Sequence, residues 1–147
     1  MVNQKFATAV HILTNLAYSQ CPKLNPKQSG KLNNSDVIAE SVNTNPVVIR
    51  RIIKYLTAAG LVKTTRGKNG GIQLSKSPND ITLKDIYAAL PESKSVNPRT
   101  KSPYKKCPVS CSMFDIMTEI SIETEQAKMN FLATKKLSGV LEKIEKD

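Results

Sequence analysis

The stretch from Asn45 to Ser75 leaves few folds open, because its apolar pattern changes from helical to strand-like at a glycine. Asn45-Pro46 is a helix-start signal, with proline at the first helical position, where its missing N–H costs nothing. Ile49, Ile52, Ile53 and Leu56 then stand at i, i+3, i+4 and i+7 and predict one buried face. Val47, Arg50, Arg51, Lys54 and Ala58 share the same spacing on the opposite side, so the basic residues lie together on an exposed face. Gly60 stops the helix. Two β-type runs follow, Leu61 to Thr65 and Ile72 to Ser75, joined through Arg66-Gly67-Lys68-Asn69-Gly70-Gly71, whose glycines permit the positive φ of a hairpin turn. A helix followed by a basic two-stranded hairpin predicts a winged helix.

Charge says what such a unit meets. From Ser41 to Asn79 there are seven basic residues and no acidic one, within a chain of 147 residues and formal net charge +10. A block of that kind suits a polyanion, nucleic acid first among them. Arg50 and Arg51 can fork onto O6 and N7 of a guanine, whereas Lys54, nearer the helix end, suits a phosphate. In the hairpin, Arg66 and Lys68 flank a turn that can approach the backbone or enter the narrow minor groove, and Asn69 can add a hydrogen bond to sugar or phosphate. A solvated basic face on an ordinary glycine-rich hairpin is the plainer alternative, and the succession of adjacent signals outweighs it.

The remaining chain reads as mainly α. Phe6, Val10, Leu13 and Ala17, widened by Ile12 and Leu16, predict a first helix near 3–19. A polar loop with Pro22, Pro26 and Gly30 precedes a short helix, Asp36 to Ser41, with Ser35 as its N-cap. Thr82 caps a helix through Leu83, Ile86, Tyr87 and Leu90, which ends at Pro91. From Glu92 to Lys106 the composition turns polar and predicts a linker. A long helix is expected from about Ser112, where Met113, Met117, Ile120, Thr124, Ala127 and Phe131 alternate spacings of four and three like a coiled-coil seam, and Leu137, Val140, Leu141 and Ile144 mark a short terminal helix. The expected units are a winged helix-turn-helix domain over 1–91, a linker or sensor loop over 92–111, and a dimerisation helix with a short C-terminal helix over 112–147.

Several function classes fall away. No run approaches the about 20 apolar residues of a membrane span, and the first helix is interrupted by His11, Thr14 and Asn15, unlike a signal-peptide core, so a cytoplasmic protein is expected. No Ser, His and acidic constellation and no pair of catalytic carboxylates occurs, and the glycine-rich hairpin lacks the Lys-Ser/Thr ending of a phosphate loop, so no enzyme is expected. The other reading is a winged-helix adaptor that binds RNA or protein without operator specificity. The chain lacks the interleaved aromatic residues that favour single-strand recognition.

Three successive segments carry a resemblance to a known family: Ile49 to Val62, with its Arg50-Arg51-Ile52-Ile53-Lys54-Tyr55-Leu56 core; Arg66-Gly67-Lys68-Asn69-Gly70-Gly71-Ile72-Gln73-Leu74; and Ile81-Thr82-Leu83-Lys84-Asp85-Ile86. Together they resemble the Rrf-two winged-helix transcription regulators, the IscR, NsrR and CymR type. The resemblance runs over most of the chain. It implies a homodimer built on the long helix, binding double-stranded DNA over a palindromic operator, and repression by operator occupancy, though some members of the family activate. It further implies that Val47, Arg50 and Arg51 face bases, that Arg66 enters the minor groove, and that Ser35 lies near phosphate.

The cysteines set the chain apart from part of that family. Members that bind a cluster use three closely spaced cysteines between the helix after the wing and the dimer helix, whereas this chain has Cys107 and Cys111 there and no nearby histidine. It resembles the members without an iron–sulphur cluster, and no cofactor is expected. Cys107-Pro-Val-Ser-Cys111 is not a Cys-x-x-Cys motif, and no paired motif completes a zinc site. Lys105, Lys106 and a following helix N-terminus favour one reactive thiolate, which makes Cys107 and Cys111 candidate redox sensors. Packing at the dimer interface is the alternative for both. The sequence names no inducer.

Overall fold

The computed structural model describes residues 4–20, 34–66, 70–94 and 104–145. Six helices and a two-stranded sheet follow in the order α1 (Gln4–Gln20), α2 (Ser35–Val42), α3 (Pro46–Ala58), β1 (Val62–Thr65), β2 (Gly71–Leu74), α4 (Leu83–Ala89), α5 (Pro108–Ala133) and α6 (Leu137–Glu145). Among these residues no helix is long and apolar enough to cross a membrane.

The core collects the apolar stripe of each helix. Ile12, Leu13 and Leu16 of α1, Ile38 of α2, Ile49 and Leu56 of α3, and Ile86 of α4 are fully buried together with Leu61, Ile81, Leu90 and Leu137. Each such side chain contributes about 1.5–3 kcal/mol by leaving water, which is what fixes the orientation of the helices that carry them. In α1 the packed side is centred on Ala9, Ile12, Leu13 and Leu16, and Val10 is only half-buried.

α2 and α3 are joined by a tight turn whose chemistry is local. Asn43 adopts the left-handed conformation at φ 58°, which asparagine tolerates better than most residues, and Thr44 N–H donates to the Ala39 carbonyl at 3.0 Å. Asn45 closes the other side by accepting the Val47 N–H on Oδ1 at 2.9 Å, with Pro46 at the first helical position as expected. At the start of α2, by contrast, the cap is Asn34, which accepts the Val37 N–H, and Ser35 is already the first helical residue. Ser35 therefore does not cap the helix: the asparagine side chain one position earlier reaches the free amide first.

The wing is the antiparallel pair β1–β2, in register Val62↔Leu74 and Thr65↔Gly71. Val62 and Ile72 face the core while Lys63, Thr64 and Thr65 are exposed. Gly70 is obligatory at the turn, since a Cβ there would collide with the Thr65 carbonyl oxygen.

Thr82 and Asp85 form a reciprocal capping box at the head of α4. The long helix starts at Pro108, four residues before the expected Ser112, so the end of the anticipated 92–111 linker is helical. The last helix returns to the first domain: α6 packs on α1, and Leu137 N–H donates to the Ile81 carbonyl at 2.9 Å while Leu83 N–H donates to the Lys135 carbonyl at 2.8 Å. α5 is tied to α4 through Lys128, which donates to the Tyr87 hydroxyl at 2.7 Å, sits over its ring at 4.2 Å and pairs with Glu125 at 3.3 Å. Partial burial works to lower the Lys128 pKa, but the hydrogen bonds to Tyr87 and Glu125 and the negative charge of Glu125 outweigh it and raise it above the ordinary 10.5.

Candidate nucleic-acid interface

The recognition face is built from inside outward. Ile49, Ile52, Ile53 and Leu56 seat α3 in the core, which leaves Val47, Arg50, Arg51 and Lys54 on the exposed side. No described carboxylate pairs with Arg50, Arg51, Lys54 or Arg66, so their donors are free for an external anion. Arginine with unpaired donors can fork onto guanine or phosphate, and lysine can sit as a point charge on phosphate.

Arg66 stands exposed at the end of β1, on the approach to the wing tip. Lys68 and Asn69, expected at that tip, lie outside the described residues, as does Cys21. Ser35 is half-buried in the first turn of α2, the helix that packs against α3. The sequence pattern does not single out Asn34, whose capping oxygen sets where α2 begins, or the Lys128–Tyr87 pair, which no periodic pattern marks; Asn45, part of the expected helix-start signal, caps α3.

The two cysteines are not equivalent. Cys107 occupies the N-cap position of α5, half-buried, and its side chain accepts none of the first free amides. Cys111 is one turn further and exposed, with Sγ 3.8 Å from the carbonyl oxygens of both Tyr104 and Lys105. The intervening loop is closed by Tyr104 N–H donating to Ser110 Oγ at 2.8 Å.

A family model described as Rrf2, iron-dependent transcriptional regulator, matches residues 2–143. The chain belongs to the Rrf2 family. Rrf2 proteins are transcription regulators rather than enzymes, and the winged helix described above is their DNA-binding unit. The chain is 35% identical over 141 residues to YwnA of Bacillus subtilis (strain 168), classed by name among HTH-type transcriptional regulators, with 96% of this chain and 97% of that one covered. Its fold matches IscR of T. potens with a TM-score of 0.68 at 21% identity, over 99% of this chain and 89% of the other. It also matches CymR, the global cysteine regulator of B. subtilis, with a TM-score of 0.64 at 23% identity, over 97% and 96%.

The iron in the Rrf2 family's description can be tested against the donors present. Among the described residues no group of three or more His, Cys, Asp or Glu side chains converges in a way that could hold a metal ion. Two thiols from the start of one helix fall short of the four ligands of a [2Fe–2S] cluster, so the described donors of one chain do not fit that group.

Proposed function

We propose that this Rrf2 protein is a homodimeric repressor that works in the cytoplasm without a cluster, by occupying a roughly palindromic operator, and that oxidation at Cys107 releases it. The observation that carries the reading is the α3 face, where Val47, Arg50, Arg51 and Lys54 project from a helix held by its own core residues and its Asn45 cap, with no carboxylate among the described residues to neutralise the basic ones. Arg50 and Arg51 read guanine, Lys54 binds phosphate, and Arg66 enters the minor groove with Lys68 and Asn69 beside it. Two-fold symmetry places the half-sites one helical turn, or a multiple, apart.

Dimerisation is supported by one side of α5. Val109 is 64% exposed, Ile120 48% and Phe131 61%, and with the half-buried Met113 and the exposed Ile116 and Ala127 they share an apolar stripe at helical spacing. Thiol control is supported by Cys107 heading that same helix, where a change at sulphur bears directly on the dimer element. With a peroxide as oxidant, sulphur loses two electrons, takes one oxygen to become a sulfenic acid, and hydroxide leaves.

The test is a titration at fixed salt of fluorescent DNA from upstream of the chain's own gene against a shuffled duplex, with and without peroxide. Preference for the upstream duplex, lost on oxidation and restored by a thiol reductant, is the expected result, and Cys107→Ser should abolish the response. Preference indifferent to peroxide removes the thiol switch and keeps the regulator. Equal binding to both duplexes replaces the repressor by an adaptor without operator specificity.

A further inference from the structure

The recognition face carries, at its leading end, an apolar side chain that charge does not explain. Val47 is 52% exposed at the second position of α3, on the leading end of the helix. Its backbone is fixed from both sides, by Pro46 before it and by the hydrogen bond from its own N–H to Asn45 Oδ1 at 2.9 Å. Branching at Cβ restricts the χ1 of valine, so its two methyl groups have few positions to choose among before any DNA arrives. Arg50 and Arg51 follow at i+3 and i+4, which sets them one turn behind Val47 on the same face.

Valine has neither donor nor acceptor and cannot pair with the N7, O6, N6, N4 or O4 edges that make up most of the major groove. Seated against any of these it would strip their water and leave them unpaired, which costs free energy. The C5 methyl of thymine is the one apolar feature on that surface. We infer that Val47 makes this chain selective for thymine, through its C5 methyl group, at a base pair adjacent to the guanine read by Arg50 or Arg51. The inference rests on α3 being the base-reading helix and adds what that helix selects: a methyl contact beside a guanidinium fork, in each half-site.

The experiment begins with selection of operator sequences from random duplexes by the full-length protein. Each thymine of the winning sequence is then replaced singly by deoxyuridine, which removes the methyl and keeps every hydrogen-bonding edge. Binding is read by fluorescence anisotropy for the wild type and for Val47→Ala, with circular dichroism to confirm that the variant is folded. One thymine per half-site should show about a fourfold loss on conversion to uracil, the effect of exposing one methyl. In Val47→Ala the same conversion should change nothing, and because the variant lacks the contact in both protomers its affinity for the thymine operator should approach that of the wild type for an operator with uracil in both half-sites. A selected operator whose thymines all accept uracil, or a penalty that persists in Val47→Ala, overturns the inference while leaving α3 as the reader. Failure of selection to enrich any sequence overturns the reading of α3 itself.

Discussion

At the scale of single residues, the α3 face separates two jobs that net charge merges. Arg50 sits in the middle of the exposed face and Lys54 a turn later, both without a carboxylate partner among the described residues. Arg50→Ala should lose about 1–3 kcal/mol of operator binding and relax the preference at one position, since a bidentate guanine contact is sequence-specific. Lys54→Ala should weaken operator and shuffled DNA alike and reduce the dependence on salt, the signature of a phosphate contact. Equal losses on both duplexes for Arg50→Ala would sink the assignment to a base. The face itself was legible in the sequence, because periodicity alone divides Ile49, Ile52, Ile53 and Leu56 from Val47, Arg50, Arg51 and Lys54. The cap of α2 was not legible: Asn34 and Ser35 are adjacent and both are good capping residues, and only the backbone geometry decides that asparagine accepts the Val37 amide.

At the scale of elements, α3 and the wing depend on local chemistry that can be removed without touching the side chains proposed to meet DNA. Asn45→Ala deletes the oxygen that accepts the Val47 amide at 2.9 Å and should cost about 1 kcal/mol, seen as a thermal midpoint lower by a few degrees. An unchanged midpoint would show that the turn is held by Pro46 and the Asn43 conformation alone. Gly70→Ala forces a Cβ onto the Thr65 carbonyl, so the wing must open while the buried helices keep their place. It should weaken DNA binding and leave the helical circular dichroism as it was. The strands and Thr82 cap were readable in advance from alternation and turn residues. The start of α5 was not, because Pro103, the lysines and Pro108 read as linker, yet proline is well placed at a first helical turn and the helix begins there behind a cysteine that supplies no capping bond.

At the scale of the whole molecule, the chain folds back on itself in a way the sequence did not announce. α6 looked like an appendage of the dimer helix, but Leu137 and Leu141 are buried with α1, and the 135–137 segment is hydrogen-bonded to 81–83. Short helices with mixed composition carry no signal of which neighbour they will meet. Both ends of the winged domain are thus anchored. α5 meets α4 through Lys128 and the core through Leu132 and Met129, all in its C-terminal half, and Val109, Ile116, Ile120 and Phe131 are exposed on another side. Ile120→Glu tests what closes it. The residue is exposed in the single chain, so the substitution removes nothing from the core and far-ultraviolet circular dichroism should be preserved. A buried, unpaired carboxylate at a two-fold interface appears in both copies and disfavours association. Sedimentation equilibrium should then give the 16.2 kDa mass of one chain where the wild type gives twice that. Because two half-sites held by one dimer bind as a linked pair, operator affinity should fall by about a hundredfold or more, with shuffled DNA much less affected. A variant that stays dimeric would move the interface off this face of α5. A monomer that still binds the operator at full strength would instead remove the two-fold operator while leaving α3 and the wing as its reader.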